Sequence, residues 1–233
     1  MESAVTVPPP YSCVVSTVVS VNIAQRNSDG PNGRSGIDKR PTTAAVAVRA
    51  PGDRRSGPGS GLDGDLVGNR RYHGGDDQAV YAYAREDLDG WERTLDRDLA
   101  NGMFGENLTT LGVDVTGAVI GERWRLGSDG LVLEVSRPRT PCRTFTTFLG
   151  IRGWADTFTR AGKPGAYLRV INPGRVRAGD PVTVTDRPDH GVTIGLVFRA
   201  MMSEPGLLPD ILVADALAPE VRRRARRRLG MAR

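Results

Sequence analysis

Glycine and proline together make up nearly a fifth of this chain, 29 Gly and 16 Pro in 233 residues. Glycine reaches backbone conformations closed to other residues and proline fixes φ, so such a chain turns often and sustains few long helices. The expected fold is therefore mixed β/α, built on many short strands rather than a helical bundle. Hydrophobic residues at 39% and charged residues at 25% exclude wholesale disorder. The length suits one domain, or one domain with a small appendage. No apolar run approaches the roughly 20 residues of a membrane helix, so no membrane association is expected. The first twenty residues hold Glu2 and Pro8-Pro9-Pro10 without a basic cluster, which argues against a secretory signal. Two cysteines, Cys13 and Cys142, exclude a disulfide framework and fit a reducing, cytoplasmic setting. With only His73 and His190 beside them, a structural zinc site is hard to assemble.

The net charge of +5 first points to nucleic acid, but its location does not. Residues 219–233 carry seven arginines against Glu220, a local sum of +6 that leaves −1 for residues 1–218. Val221, Ala225 and Leu229 stand four apart, so this tail reads as a helix that packs one face while its arginines stay solvated. Nucleic-acid binding through these arginines is the disfavoured reading.

Along the chain, residues 1–11 read as a disordered terminus and Ser12–Val21 as a first strand, with Cys13 in its core. Residues 27–36 read as a loop, Thr43–Arg49 as a second strand and Pro51–Gly61 as a mobile stretch. Val80, Ala84, Leu88, Trp91 and Leu95 form an apolar stripe, which predicts a helix over Asp77–Asp96 with Asp76 and Asp77 at its start. Residues 101–106 are turn-rich. Strands are expected at Val119–Leu126, Leu131–Ser136, Tyr167–Ile171 and Pro181–Thr185, with a short helix at Arg152–Arg160. Three helical segments, about 192–201, 205–216 and 219–229, close the chain. The domain division that follows is a disordered 1–11, a β-barrel domain at 12–188 with inserted helices, and a C-terminal three-helix region at 189–233.

Four stretches can carry chemistry. Cys142 follows a strand in Ser136-Arg137-Pro138-Arg139-Thr140-Pro141-Cys142-Arg143, where prolines stiffen the connection and arginines favour the thiolate. A thiolate serves as nucleophile or soft metal ligand; a small buried hydrophobe is the alternative reading. His73-Gly74-Gly75 precedes the predicted helix, where glycine amides could approach an anion, or could merely form a capping turn. Phe104-Gly105-Glu106-Asn107 offers an amide that could meet a heterocycle edge or close a turn. Lys39 and Arg40 precede a strand and suit a phosphate, or remain solvated cations. Cations, glycine amides and one potential thiolate together suit an anionic, phosphate-bearing cofactor with a soft metal.

The order of these motifs carries a resemblance. Gly36-Ile37, Arg40-Pro41, Gly61-Leu62-Asp63-Gly64-Asp65, His73-Gly74-Gly75, Phe104-Gly105-Glu106-Asn107-Leu108, Gly121 and Pro138-Arg139-x-Pro141-Cys142 follow in sequence. So do Gly165-x-Tyr167 and Pro173-Gly174-x-Val176-x-Ala178-Gly179-Asp180. This series, from about Val14 to Arg228, resembles the MOSC (molybdenum cofactor sulfurase C-terminal) domain family, in its bacterial stand-alone type linked to 6-N-hydroxylaminopurine resistance. The resemblance implies a β-barrel core and a molybdenum cofactor, molybdopterin with Mo, whose metal is bound by Cys142. It implies reduction of an N-hydroxylated base or related small N–O compound to the amine, a detoxifying reaction, with Cys142 and His73 as catalytic residues. Lys39, Arg40, Arg137 and Arg139 would offset cofactor charge; His73 with Gly74 and Gly75, and Asn107, would contact cofactor or substrate. The chain shows no dinucleotide fingerprint and no iron–sulfur cysteine set, so a separate redox protein would supply electrons. A homodimer is compatible with this reading. Leu66-Val67-Gly68-Asn69-Arg70 replaces a Gln-Ala-Asp-like run of the relatives, a departure that bears on substrate identity and leaves the metal ligand untouched. The rival reading is a cofactor or sulfur carrier module without turnover of its own.

Overall fold

The computed structural model describes residues 16–24, 29–30 and 33–231. The 1–11 segment, Cys13 and the predicted start of the first strand lie outside the described residues. Strand β1 runs Thr17–Ala24, with Val18 and Val21 fully buried. A two-residue hairpin, β2 (Asp29–Gly30) with β3 (Gly33–Arg34), falls in the expected loop. The strand expected over Thr43–Arg49 is the shorter β5 (Val46–Val48), and a strand the sequence pattern does not show, β4 (Lys39–Thr42), precedes it. Pro41 can sit in β4 because β4 is the edge of its sheet, where a missing amide donor is tolerated. The Pro51–Gly61 stretch is held rather than loose. Asp53 accepts from the amides of Arg55 and Ser56, and Gly61 bridges Arg49 and Ala79 through its carbonyl and amide.

The predicted helix at Asp77–Asp96 is corrected by the structure. A 3-10 turn at Asp76–Gln78 leads into strand β6 (Val80–Ala84), and only then does helix α1 (Arg85–Leu95) begin. A spacing of four fits a strand as well as a helix, since four is an even number of residues. Both faces of β6 are covered: Val80, Ala82 and Ala84 enter an aliphatic core, while Tyr81 and Tyr83 enter an aromatic one. With no polar face, the two-residue alternation is hidden from a hydrophobicity reading.

The remaining elements are β7 (Leu108–Leu111), β8 (Arg123–Leu126), β9 (Leu131–Pro138), α2 (Arg143–Leu149), α3 (Trp154–Ala161), β10 (Ala166–Asn172), β11 (Gly174–Val176), β12 (Val182–Asp186), α4 (Ile194–Met202) and α5 (Pro219–Arg228). Val119 makes only an isolated bridge with Thr193, so the expected strand at 119–126 starts at Arg123. The middle segment of the expected three-helix region is two 3-10 turns, Pro205–Leu207 and Asp210–Val213. Helix α2 was not anticipated.

Eight strands form one mixed sheet in the order β12-β8-β9-β10-β6-β7-β1-β4, antiparallel except for β6 beside β7. A parallel pair needs a crossover connection, and α1 is part of it. Backbone hydrogen bonds also join the two sides of this order: Val18 N to Asp180 O at 2.9 Å, Gly179 N to Val18 O at 2.8 Å and Val182 N to Ser16 O at 2.8 Å. Thr17 bridges Pro181. The aliphatic core gathers sheet residues with Val197 and Ala200 of α4 and Val221 and Ala225 of α5. On the other face of β6, Trp91, Phe104, Phe145, Trp154, Phe158 and Phe198 form an aromatic cluster tying together α1 to α4. No helix among the described residues is long and apolar enough to cross a membrane.

Candidate functional site

Strand β9 ends at Pro138, and the rigid Arg139–Pro141 link delivers Cys142 to the cap position of α2 in an extended conformation. There the half-buried sulfur lies on the wall of a cavity of about 410 Å³. Burial pushes the thiol up. Hydrogen bonding with the His73 side chain, the charge of Arg139 and the backbone N–H of Phe145 outweigh it and lower the thiol to about 6. The Cys142 side chain makes no formal capping hydrogen bond to the helix, so His73 and Arg139 carry most of the effect.

Arg139 is buried and fixed from three directions. Its Nη1 donates to Phe104 O at 3.0 Å, and its guanidinium stacks 3.7 Å from the centre of the Phe145 ring and 5.4 Å from that of Tyr81. Burial opposes its charge, and the facing Tyr81, Tyr167 and Cys142 groups reinforce it, so the guanidinium is held charged. Phe104 is in turn positioned by Glu106, a fully buried carboxyl that accepts from Phe104 N at 3.0 Å and Thr109 Oγ1 at 2.9 Å and also from Gly102 N.

On the opposite wall Asp65 is a junction. Its carboxylate pairs with Lys39 Nζ and accepts from Ser60 Oγ at 2.7 Å, Ala24 N at 2.8 Å and Asn107 Nδ2 at 2.9 Å. Burial raises this carboxyl, but the Lys39 charge and these donors leave it below the ordinary value. Asn107 is fully committed as well: Oδ1 accepts from Tyr81 N at 3.1 Å, and Nδ2 also donates to Asn22 O at 3.3 Å. It braces β1 against β6 and has no free edge for a ligand.

Of the residues selected from the sequence, Cys142, His73, Gly74, Lys39, Asn107 and Arg139 meet at this cavity. Arg40, Gly75 and Arg137 do not. Arg40 pairs with Asp38 at 2.9 Å on the exposed face of β4, because neighbouring strand residues point to opposite sides. Gly75 spends its amide on Gly59 O at 2.9 Å and faces a second cavity, and no α-helix begins there to bind an anion. Arg137 faces that second cavity too, where it meets Glu220 at 3.5 Å. Asp65, Gln78, Tyr81 and Tyr167 also line the cavity, and Glu106 braces Phe104 from behind, roles that no local sequence signal marks. Tyr81 and Tyr167 are register partners on β6 and β10, with rings 5.0 Å apart, a pairing that appears only once the strands are aligned.

The sequence model of the MOSC domain matches residues 69–183. The uncharacterized protein YflK of Bacillus subtilis (strain 168) is 35% identical over 186 residues, covering 78% of this chain and 79% of its own length. The chain belongs to the MOSC domain family. The crystal structure of YiiM from Geobacillus stearothermophilus superposes on this MOSC-domain protein with a TM-score of 0.74 at 26% identity, over 92% of this chain and 99% of that one. A protein of Gibberella moniliformis (strain M3125 / FGSC 7600) named "Reductase" is 35% identical over 120 residues, 50% of this chain and 21% of that protein.

The cavity of this MOSC-domain protein fits the cofactor its family is associated with, on three features of its own. Cys142 presents a thiol lowered toward thiolate on the cavity wall, a soft donor of the kind molybdenum takes. Arg139 holds a positive charge beside that sulfur and forms no ion pair with a carboxylate among the described residues. Gln78, a nearly buried lining residue, has an Oε1 with no hydrogen-bond partner, an acceptor suited to the N–H edge of a heterocycle.

Proposed function

We propose that this chain is a molybdenum-cofactor-dependent reductase of small N-hydroxylated compounds. The observation that carries the reading is a thiol lowered to about 6 on the wall of a 410 Å³ cavity. Cys142 would ligate the metal, and Arg139 would offset the charge of the bound group, with Lys39, already paired with Asp65, on the opposite wall. When bound, the cofactor supplies two-electron chemistry at an N–O bond. The overall change is a hydroxylamine plus two protons and two electrons giving the amine and water, and the electrons come from a separate redox protein. His73, in contact with the Cys142 sulfur, would hold an imidazole proton for the departing oxygen. Tyr81, Tyr167 and Phe104 give the cavity aromatic walls against which a planar base can stack.

The same proposal takes the sheet as a barrel, supported by the bonds between Val18 and Asp180 across its two sides, and places the protein in a reducing cytoplasm. Its test is metal analysis and a dye-coupled reduction assay on the purified parent and on Cys142→Ser. The expected result is molybdenum and turnover of a hydroxylamine or amidoxime in the parent, and loss of both in the variant. A parent that binds molybdenum yet turns over no such compound would replace this reading with the carrier one.

A further inference from the structure

Behind the Gly74–Gln78 wall of the first cavity lies a second one, of about 260 Å³. Four arginines line it, Arg54, Arg55, Arg137 and Arg223. Four acidic residues line it too, and three have partners other than the guanidiniums of Arg54, Arg137 and Arg223. Asp53 accepts from Arg55 N, Ser56 N and Ser56 Oγ. Asp76 accepts from Gly52 N at 2.8 Å, and Asp77 pairs with Arg169 at 2.6 Å. Among the described residues only Glu220 forms an ion pair with these arginines, and a single oxygen of it serves two of them, Arg54 at 3.2 Å and Arg137 at 3.5 Å, while Asp53 lends its charge to Arg55 alone.

That arrangement is undersaturated in acceptors. Charge-assisted N–H···O bonds ordinarily close to about 2.8 Å and arginine pairs best through two parallel bonds, so one oxygen shared at these lengths satisfies neither guanidinium. The Arg137 Nε is buried without any hydrogen-bond partner, and Arg223 has no partner among the described residues. A buried guanidinium N–H without an acceptor is costly, and such an atom beside a cavity marks a place where an acceptor belongs.

We propose that the cavity formed by Arg54, Arg137 and Arg223 is a second binding site, for a phosphate group, in which Glu220 is a displaceable internal counterion. A monocarboxylate gains nothing over the tethered Glu220 carboxylate it must displace. A phosphate dianion brings twice the charge and several oxygens, enough to serve three guanidiniums at once. The site is separate from the Cys142 cavity and stands whether or not the reductase reading holds.

The test is calorimetric titration of the purified protein with inorganic phosphate and, separately, with a nucleoside monophosphate. Saturable binding at or below about 10 mM is expected for at least one of them. Tighter binding of the monoester identifies a phosphorylated small molecule as the occupant, and equal affinities identify free phosphate. Arg137→Gln and Arg54→Gln should each weaken binding by about tenfold or more. Glu220→Gln should tighten it, because it removes the competitor; a merely structural ion pair would show no such gain. Binding that is insensitive to Arg137→Gln, that is lost instead on Arg139→Gln, or that Glu220→Gln fails to strengthen overturns the proposal, as does the absence of saturable binding.

Discussion

Two side chains set the character of the first cavity, and each titrates in a predictable direction. The Cys142 thiolate is favoured in the folded protein, so it is populated above pH about 6 and lost as the pH falls through that value. The rate of alkylation by iodoacetamide should follow this curve, with His73→Ala moving its midpoint up toward the ordinary thiol range. A midpoint that stays near 6 in that variant would remove His73 from the account. Asp65 sits lower than an ordinary carboxyl, which makes its contribution fully present above pH about 4 and lost as the pH drops through its folded value. Asp65→Asn leaves Lys39 buried without its charge partner, and should cost about 3–5 kcal/mol in a denaturant titration at neutral pH.

At the scale of elements, the tight approach of Gly74 to Gly59 fixes the wall between the cavities. Gly74 has φ near +87°, and a Cβ there would stand 2.6 Å from Gly59 O. Gly74→Ala should lower stability by about 1–3 kcal/mol and reduce ligand retention in the first cavity, measured by denaturant midpoint and metal content. Phe158, fully buried among Trp91, Phe104, Phe145, Trp154 and Phe198, should cost about 3–5 kcal/mol when replaced by alanine. What could be read in advance follows from local chemistry. The Pro-Arg-x-Pro-Cys link announced a rigid turn with an activated sulfur, and the Val221–Ala225 spacing announced a packed helix face, which α5 presents. What could not be read depended on where strands begin and end. Arg137 and Arg139 share parity and would share a face in a continuing strand, but β9 stops at Pro138, so the two arginines part to different cavities. Lys39 and Arg40 separate for the complementary reason: β4 begins at Lys39, where the sequence shows only two cations before a proline, so the pair divides between the two faces of a strand. The polar groups that fill the cavity wall, Asp65 and Asn107 above all, find their partners, Ser60 apart, 26 to 85 residues away in sequence, beyond the reach of any local pattern.

For the whole molecule, the C-terminal arginines are part of the fold's periphery and also of its attachment. Arg222 reaches Ala214 O, Arg228 donates to Met201 O at 2.8 Å, and Val221 and Ala225 enter the aliphatic core. Deleting residues 219–233 should therefore lower the unfolding midpoint markedly, and light scattering should report aggregation from the uncovered core. If the truncated protein keeps the parent's midpoint while losing a steeply salt-dependent affinity for DNA, the tail is a nucleic-acid arm after all. The seam between Thr17 and Pro181 has a consequence for synthesis. β4 follows β1 closely and covers part of one edge, yet the partners of Val18 and Val21 on the other edge, Thr110 and Leu108, are made some ninety residues after them, and Pro181 later still. A nascent chain of this protein must carry an uncovered valine-rich edge until those partners are made, so its yield in a cell should depend on holding chaperones far more than its finished stability would indicate.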